Sequence, residues 1–375
     1  MDIHVARTTQ PSARPNADPP GRDGTLGQVV PAVDRPAPAD STAPVAGCPK
    51  RMVFGPCGGV RSAGGCEMAD HPCVFLGPGR TLPEWREPQR PGELRPPLVL
   101  TDLSVPAGDA ATLTATARLL APTCDAMLVG DHQDRPDFPP TQLAGLIAAA
   151  GGRPWVTLAC RDRNRIVLEQ ELRGLQLAGA AAVLCVTGDG RAFDVRPDVT
   201  QVFDLDGTRL TALAAAMGVP AGVAETPTAP PVDARPARLV QKQRAGAAVA
   251  VLNHVSDPAS VGRFVAATRG QGLTIPVIAA VAVFTDARSA AVLDALPGLE
   301  IDRDVVAAVL AAPDPVTAGI EAAVAEARSL LAIDGVHGVN LSGLASDRGV
   351  RFAAEVQAEI GRRIREEVPH ARAGG

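Results

Sequence analysis

The sequence lacks several features that would point to whole classes of protein. It has no tyrosine, and aromatic residues make up only 3% of its 375 residues, so small aliphatic side chains must fill the core. No apolar run approaches the roughly 18 residues that cross a bilayer, and residues 1–16 lack the apolar stretch of a secretory signal. The formal net charge is −5 with no basic cluster, which argues against nucleic acid as the main partner. These absences predict a cytoplasmic protein whose thiols stay reduced.

What is present is an ordinary globular composition, divided into three parts. Hydrophobic residues make up 46% and charged residues 21% of the chain, which excludes a wholly disordered protein. Residues 1–45 are rich in Pro, Asp, Ala and Thr without helical or strand periodicity, and they are predicted to form a disordered tail. Residues 46–90, called here the cysteine-rich module, hold four of the seven cysteines. Residues 91–370 are predicted to form one large domain.

Within this domain, short apolar runs alternate with longer stretches of helical period. The predicted strands are 98–103, 125–129, 154–159, 181–186, 219–224, 247–252, 276–281 and 336–341. The helices predicted around them include 164–178, 234–245, 257–270, 315–332 and 347–367. Eight strand–helix units predict an α/β fold of the (βα)8 TIM barrel type, preceded by the small metal-binding module and the tail. A doubly wound open sheet is the alternative, but it usually carries a glycine-rich phosphate loop after its first strand, and here only SVPAG follows.

The cysteines of the module form a candidate metal site. They are Cys48, Cys57, Cys66 and Cys73, with eight, eight and six residues between them. This is not the CxxC pattern of a zinc knuckle. Four thiols interleaved with glycines still favour a tetrahedral zinc ion, with His71 as a substitute ligand, over an iron–sulfur cluster or metal-free thiols and disulfides. The other three cysteines, predicted to be small buried hydrophobes, are Cys124, Cys160 and Cys185.

Several stretches carry a resemblance to a known family. They are TLACRDRN at 157–164, AAVLCVTGD at 181–189, FDLDGTRL at 203–210, LVQKQRAGAAVAVLN at 239–253 and GVHGVNLSG at 335–343. In this order and spacing they resemble the methylenetetrahydrofolate reductase family over residues 98–365. CPKRMVFGPCGG at 48–59 resembles the zinc-containing module associated with such reductases in acetogens and some other bacteria. The resemblance implies reduction of a folate substrate, 5,10-methylenetetrahydrofolate, to the 5-methyl form by a flavin, FAD, in one-carbon metabolism and methionine supply.

The resemblance also implies a set of site residues at the ends of the strands. Asp102 stands where the family has its catalytic glutamate, which protonates the bridge nitrogen of the substrate. Asp189 corresponds to an aspartate that touches flavin and pterin, and Asn253 to a glutamine that hydrogen-bonds the pterin. Both Asp102 and Asn253 are one carbon shorter than their family counterparts. The residues implied to bind the flavin are Asp131, His132, Thr157, Gly188, Asp189 and Lys242, the last near the diphosphate.

The sequence leaves open the identity of the electron donor and two alternatives to the reductase function. The sequence has no GxGxxG loop, so NAD(P)H as electron donor is expected to bind transiently against the flavin. The alternative donor is a protein partner docked by the cysteine-rich module. The other functions are a non-catalytic folate- or partner-binding subunit and a pterin-dependent methyltransferase on the same barrel. The oligomeric state, including a homo-oligomer, is open as well. His254 and His337 are predicted to be satisfied core or loop histidines rather than bases.

Overall fold

The structure is a computed structural model that describes residues 43–77, 82–190, 196–295, 299–343 and 345–367. All of these residues belong to one compact unit, Ala37–Gly375. Of the predicted disordered tail at 1–45, residues 1–42 lie outside the described residues.

Eight parallel strands form a closed barrel in which each strand pairs with the next along the chain and the last pairs with the first. They are β1 (Val99–Leu103), β2 (Ala126–Val129), β3 (Pro154–Ala159), β4 (Ala182–Val186), β5 (Ala221–Glu225), β6 (Val249–Leu252), β7 (Val277–Ala282) and β8 (Val336–Ser342). All eight predicted strands are confirmed, and so is the (βα)8 barrel.

Helices follow the strands and surround the barrel. They are α1 (Ala110–Leu120), α2 (Pro140–Ala149), α3 (Arg165–Leu177), α4 (Gly207–Ala216), α5 (Arg235–Arg244), α6 (Pro258–Gly270), α7 (Ala287–Asp294), α8 (Arg303–Ala311), α9 (Pro315–Leu331) and α10 (Val350–Glu367). Asp257 caps α6 by accepting from the backbone N–H groups of Ala259 and Ser260, the arrangement that stabilises a helix start. Among the described helices, none combines the length and the apolar character needed to cross a membrane.

The inside of the barrel is filled by inward-facing aliphatic side chains and one tryptophan. Leu100, Leu184, Val251 and Ile278 pack there around Trp155. Because strand side chains alternate between two faces, Asp102, Thr157 and Asn253, two positions after Leu100, Trp155 and Val251, also face inward. They reach the mouth of the barrel at the carboxyl ends of the strands, where TIM barrels carry their active sites.

The cysteine-rich module packs on the barrel at α4 and α5. Its Val53, Phe54 and Trp85 form a cluster with Ala212 of α4 and Ala245, which follows α5. The rings of Phe54 and Trp85 lie 5.1 Å apart, centroid to centroid. The module and the barrel helices therefore share one buried apolar surface.

Candidate functional site at the mouth of the barrel

A cavity of about 300 Å³ opens at the carboxyl ends of β3 to β6. Six of the predicted site residues line its wall: Asp131, Thr157, Gly188, Asp189, Lys242 and Asn253. They come from different strand ends and from α5, so only the closed barrel brings them together. Asp102 and His132 do not line this cavity.

The turn after β4 presents Asp189 to the cavity. Its carboxylate Oδ2 accepts from Gln133 Nε2 at 3.1 Å, and the residue is exposed. Gly188 has a φ of +93°, and a Cβ at this position would lie 2.9 Å from the Cβ of Arg161. Glycine is therefore required there for the turn to lie against the end of β3.

Asp131 and His132, neighbours in sequence, face different spaces. The carboxylate of Asp131 pairs with Arg163 Nη1 at 2.5 Å and lies on the wall of the cavity. His132 lines a separate cleft of about 500 Å³, where its Nε2 lies 3.5 Å from Asp137 Oδ2. His132 therefore lines a different cavity from the other residues predicted to bind flavin.

Asn253 faces the cavity directly after β6. Its side-chain amide donates to Thr226 Oγ1 at 2.9 Å, and its backbone N–H donates to the carbonyl of Glu225. These two bonds tie the end of β6 to the end of β5.

Lys242 lies in a buried cluster of charges. Its ammonium is 2.9 Å from Glu225 Oε2 and also donates to the carbonyl of Ala224. Arg238 Nη1 is 2.6 Å from the same carboxylate, and Arg235 Nη1 is 3.3 Å away. Burial, together with Arg238, lowers the pKa of Lys242 to about 7. Burial alone would raise the pKa of Glu225, but the three cations outweigh it and lower that pKa to about 2.

Asp102 lies on β1, across the mouth of the barrel from Asn253. Its Oδ1 accepts from the side-chain amide of Asn340 on β8 at 3.0 Å, and its Oδ2 accepts from the backbone of Gly343 at 3.3 Å. Burial raises the pKa of Asp102 to about 6, although these hydrogen bonds oppose the shift. The carboxyl group therefore holds its proton at pH values where an ordinary aspartate is ionised.

Asn340 and Glu225 were not among the predicted site residues, although both stand at carboxyl ends of strands. Asn340 is 4% exposed, and its Oδ1 has no hydrogen-bond partner among the described residues. Glu225 is the carboxylate that holds the three cations together. Their place at strand ends is the signal that could have identified them.

The four cysteines of the module line one small cavity of about 20 Å³ together with His71. Burial raises the pKa of the Cys57 thiol to about 11. Among the described residues, no group of three or more His, Cys, Asp or Glu side chains is arranged to hold a metal ion. The zinc site therefore stays a prediction.

The remaining thiols and histidines have structural surroundings. Cys124, Cys160 and Cys185 are buried, as predicted. His254 is buried and bonded at both ring nitrogens, to the carbonyl of Glu300 and to Glu326 Oε1. His337 is exposed, and its Nδ1 lies 2.9 Å from the carbonyl of Gly335.

Solved structures with the same fold include an uncharacterized protein from Clostridium thermocellum that binds two copies of 5-methyl-5,6,7,8-tetrahydrofolic acid. It is 12% identical, with a TM-score of 0.53 over 75% of this chain and 97% of that chain. Tryptophan synthase from M. tuberculosis is 14% identical, with a TM-score of 0.41 over 74% of this chain and 94% of that chain. At 12% identity, the similarity to the Clostridium thermocellum protein shows the fold alone. No curated protein matches the chain.

Two family models match the sequence directly. The model of methylenetetrahydrofolate reductase matches residues 150–353, more than half of the chain. The model described as methylene-tetrahydrofolate reductase C terminal matches residues 39–95, which include the cysteine-rich module. The chain belongs to the methylenetetrahydrofolate reductase family.

Proposed function

We propose that this protein reduces 5,10-methylenetetrahydrofolate to 5-methyltetrahydrofolate, with Asp102 as the proton donor. The observation that carries the proposal is the inward-facing carboxyl of Asp102 at the mouth of the barrel, whose pKa is about 6. A general acid works best when its pKa lies near the working pH. Membership of the family supports the same reaction.

Asp102 would act on the nitrogen that carries the one-carbon bridge. Its proton moves to that nitrogen, the carbon–nitrogen bond opens, and the bridge carbon becomes an iminium that accepts a hydride to form the methyl group. The carboxylate left on Asp102 is stabilised by the amide of Asn340 and the N–H of Gly343, and it regains a proton from solvent. A bound flavin would supply the hydride.

The charges around the cavity suit an anionic cofactor. Four cations line it: Lys50, Arg161, Arg238 and Lys242. The carboxylates on the same wall are Asp131, Asp189 and Glu225. Of the cations, Arg161, Arg238 and Lys242 fit the diphosphate of FAD, and Asp189 and Asn253 offer the acceptor and amide groups that a pterin edge requires. The ligand of the Clostridium thermocellum protein supports a folate for this chain as well.

A folate-binding subunit without flavin is the second candidate. It is favoured by the contact between Lys242 and Glu225, at 2.9 Å, because the lysine implied to bind the diphosphate already has an anionic partner. In that case the folate site is retained and the hydride chemistry is absent.

The visible spectrum of the purified protein separates the two candidates. A flavin absorbance that bleaches with NADH or NADPH without oxygen, and returns on addition of 5,10-methylenetetrahydrofolate, is the result expected for the reductase. Colourless protein that binds 5-methyltetrahydrofolate in calorimetry supports the folate-binding subunit. If the protein is colourless and binds no folate, both candidates are wrong.

A further inference from the structure

The cysteine-rich module touches the turn that carries Asp189. Lys50 of the module is 3% exposed, and its ammonium donates to the carbonyl of Gly188 at 2.8 Å and to Glu67 Oε2 at 2.6 Å. The other carboxylate oxygen of Glu67 accepts from the backbone N–H of Gly190. One ion pair of the module therefore holds the peptide groups on both sides of Asp189.

This contact supplies rigidity that the turn lacks by itself. Asp189 stands between two glycines, and a glycine restricts its own backbone less than any other residue. Hydrogen bonds to charged groups are stronger than those between neutral groups, and here two of them fix the carbonyl before Asp189 and the N–H after it. The direction of the Asp189 carboxylate thus depends on residues more than a hundred positions earlier in the sequence.

The same part of the module forms a wall of the cavity. Lys50, Cys57, Gly58 and Gly59 line it. A Cβ on Gly58 would lie 2.8 Å from Thr226 Oγ1, the group that accepts from Asn253.

A residue of the barrel also donates hydrogen bonds to this wall. Arg235, which is buried, donates to the carbonyl of Cys57 at 2.9 Å and to the carbonyl of Pro56 at 3.3 Å. The wall is therefore fixed by bonds at both of its edges, to the turn after β4 and to the start of α5.

We propose that Lys50 and Glu67 are positioning residues that hold Asp189 for ligand binding, so that the cysteine-rich module is part of the ligand site. The proposal rests on the proposed function only for the identity of the ligand, a reduced folate.

Two measurements on the full-length protein test this inference. The first is amide hydrogen exchange of the 187–190 turn without ligand, where Lys50→Met and Glu67→Gln should both speed exchange at Gly190. The second is calorimetric binding of 5-methyltetrahydrofolate, where Lys50→Met should weaken binding roughly tenfold or more, as expected for loss of a charge-assisted hydrogen bond. Lys50→Arg, which keeps the charge, should recover part of the affinity.

A double-mutant comparison distinguishes positioning from general destabilisation. If Lys50 acts through Asp189, adding Lys50→Met to Asp189→Asn should change the affinity little further. Arg86→Met is the matched control, because Arg86 is an exposed cation of the same module and should leave both measurements unchanged. Should Lys50→Met fail to fold, Lys50→Arg and Glu67→Gln carry the same comparison.

Unchanged exchange at Gly190, or strictly additive effects of Lys50→Met and Asp189→Asn, would overturn the inference. A wild-type protein that binds no folate would instead overturn the proposed function, while the exchange measurement still decides whether the module positions Asp189.

Discussion

At the scale of single residues, the proposed reaction depends on the proton of Asp102. Asp102→Asn keeps the size of the side chain but removes the proton, so kcat should fall by about 10²–10⁴-fold, the usual contribution of general acid catalysis. Wild-type hydride transfer should slow as pH rises through about 6, where Asp102 loses its proton, and single-turnover rates across this range measure the effect.

Asp189→Asn should mainly raise KM. Equal small effects of both changes on both constants would contradict these roles.

The length of the Asp102 side chain gives a separate prediction. The resemblance implies a glutamate at this position, so Asp102→Glu should retain or raise activity if the pocket has room for the longer acid. If the pocket has contracted around Asp102 and Asn253, the single change should lower kcat, and adding Asn253→Gln should recover part of it. Assays of Asp102→Glu and of the double variant with Asn253→Gln distinguish these outcomes. If Asp102→Glu, Asp102→Asn and Asp102→Ala all react at the wild-type rate, Asp102 only caps its loop.

The raised pKa of Asp102 also has a cost in stability. Because its folded pKa of about 6 exceeds the ordinary value of 3.8, the group favours folding below pH 3.8 and loses this contribution as pH rises through about 6. The full shift corresponds to about 3 kcal/mol at most. Asp102→Asn does not titrate, so its free energy of unfolding relative to wild type should increase from about pH 4 to about pH 7. Parallel denaturant curves at the two pH values measure it, and a constant difference would contradict it.

Glu225 should have the opposite dependence on pH. Its folded pKa of about 2 lies below the ordinary 4.5, so its contribution is present above pH 4.5 and is lost as pH falls through about 2. Glu225→Gln would leave three buried cations without their carboxylate and should destabilise the protein by about 3–5 kcal/mol. Glu84→Gln is the control, because Glu84 is 74% exposed and pairs with Arg244 at 3.2 Å, a kind of pair worth about 0–1 kcal/mol. Similar losses for both variants in chemical denaturation would refute the assignment.

The sequence predicted six residues that line one cavity, but it did not predict their contacts. Asp189 and Asn253 could be predicted because they follow apolar runs, and the ends of parallel strands meet at one edge of a barrel. The partner of Lys242 could not be predicted, because no periodicity relates a strand end to a particular helix residue. For the same reason, the resemblance implied a role for Lys242 near the diphosphate but gave no sign of its pairing with Glu225.

At the scale of elements, the pattern of short apolar runs was sufficient to predict the barrel. β3 begins and ends where predicted, while β5 and β6 begin two residues late, because backbone pairing rather than apolar character decides where a strand starts. The segment after β7 forms three helices, and the shorter two were not predicted. Helices of eight or nine residues show too few turns for a clear period.

Glycines inside two helices provide a matched test of packing. Gly361 in α10 lies so close to the backbone that a Cβ would be 2.5 Å from the carbonyl oxygen of Thr123. Gly361→Ala should therefore destabilise the protein by about 1–3 kcal/mol, although alanine is normally the better helix former. Gly145 in α2 meets no atom within 4 Å, so Gly145→Ala should stabilise it by up to about 1 kcal/mol. Thermal unfolding of the two variants should shift in opposite directions.

At the scale of the whole molecule, the sequence suggested a small module beside an independent barrel. Four cysteines and many glycines indicated a segment too small for a core of its own. In the structure the module shares an apolar cluster with α4 and α5, and Asp206 at the start of α4 accepts from the backbone of Val53 at 2.9 Å. Contacts between such distant segments have no local signature in a sequence.

The two tryptophans test whether the module and the barrel unfold together. Trp85 lies in the module and is 5% exposed, whereas Trp155 is fully buried inside the barrel, and the chain has only these two. In Trp155→Phe the fluorescence reports the module alone, while far-UV circular dichroism reports mainly the helices around the barrel. Because Phe54 and Trp85 pack against the barrel helices, the two signals should change at the same denaturant concentration. Trp85→Phe is the reciprocal control, in which fluorescence and circular dichroism both follow the barrel. A fluorescence transition of Trp155→Phe at clearly lower denaturant would show that residues 46–90 are a separate domain with its own stability.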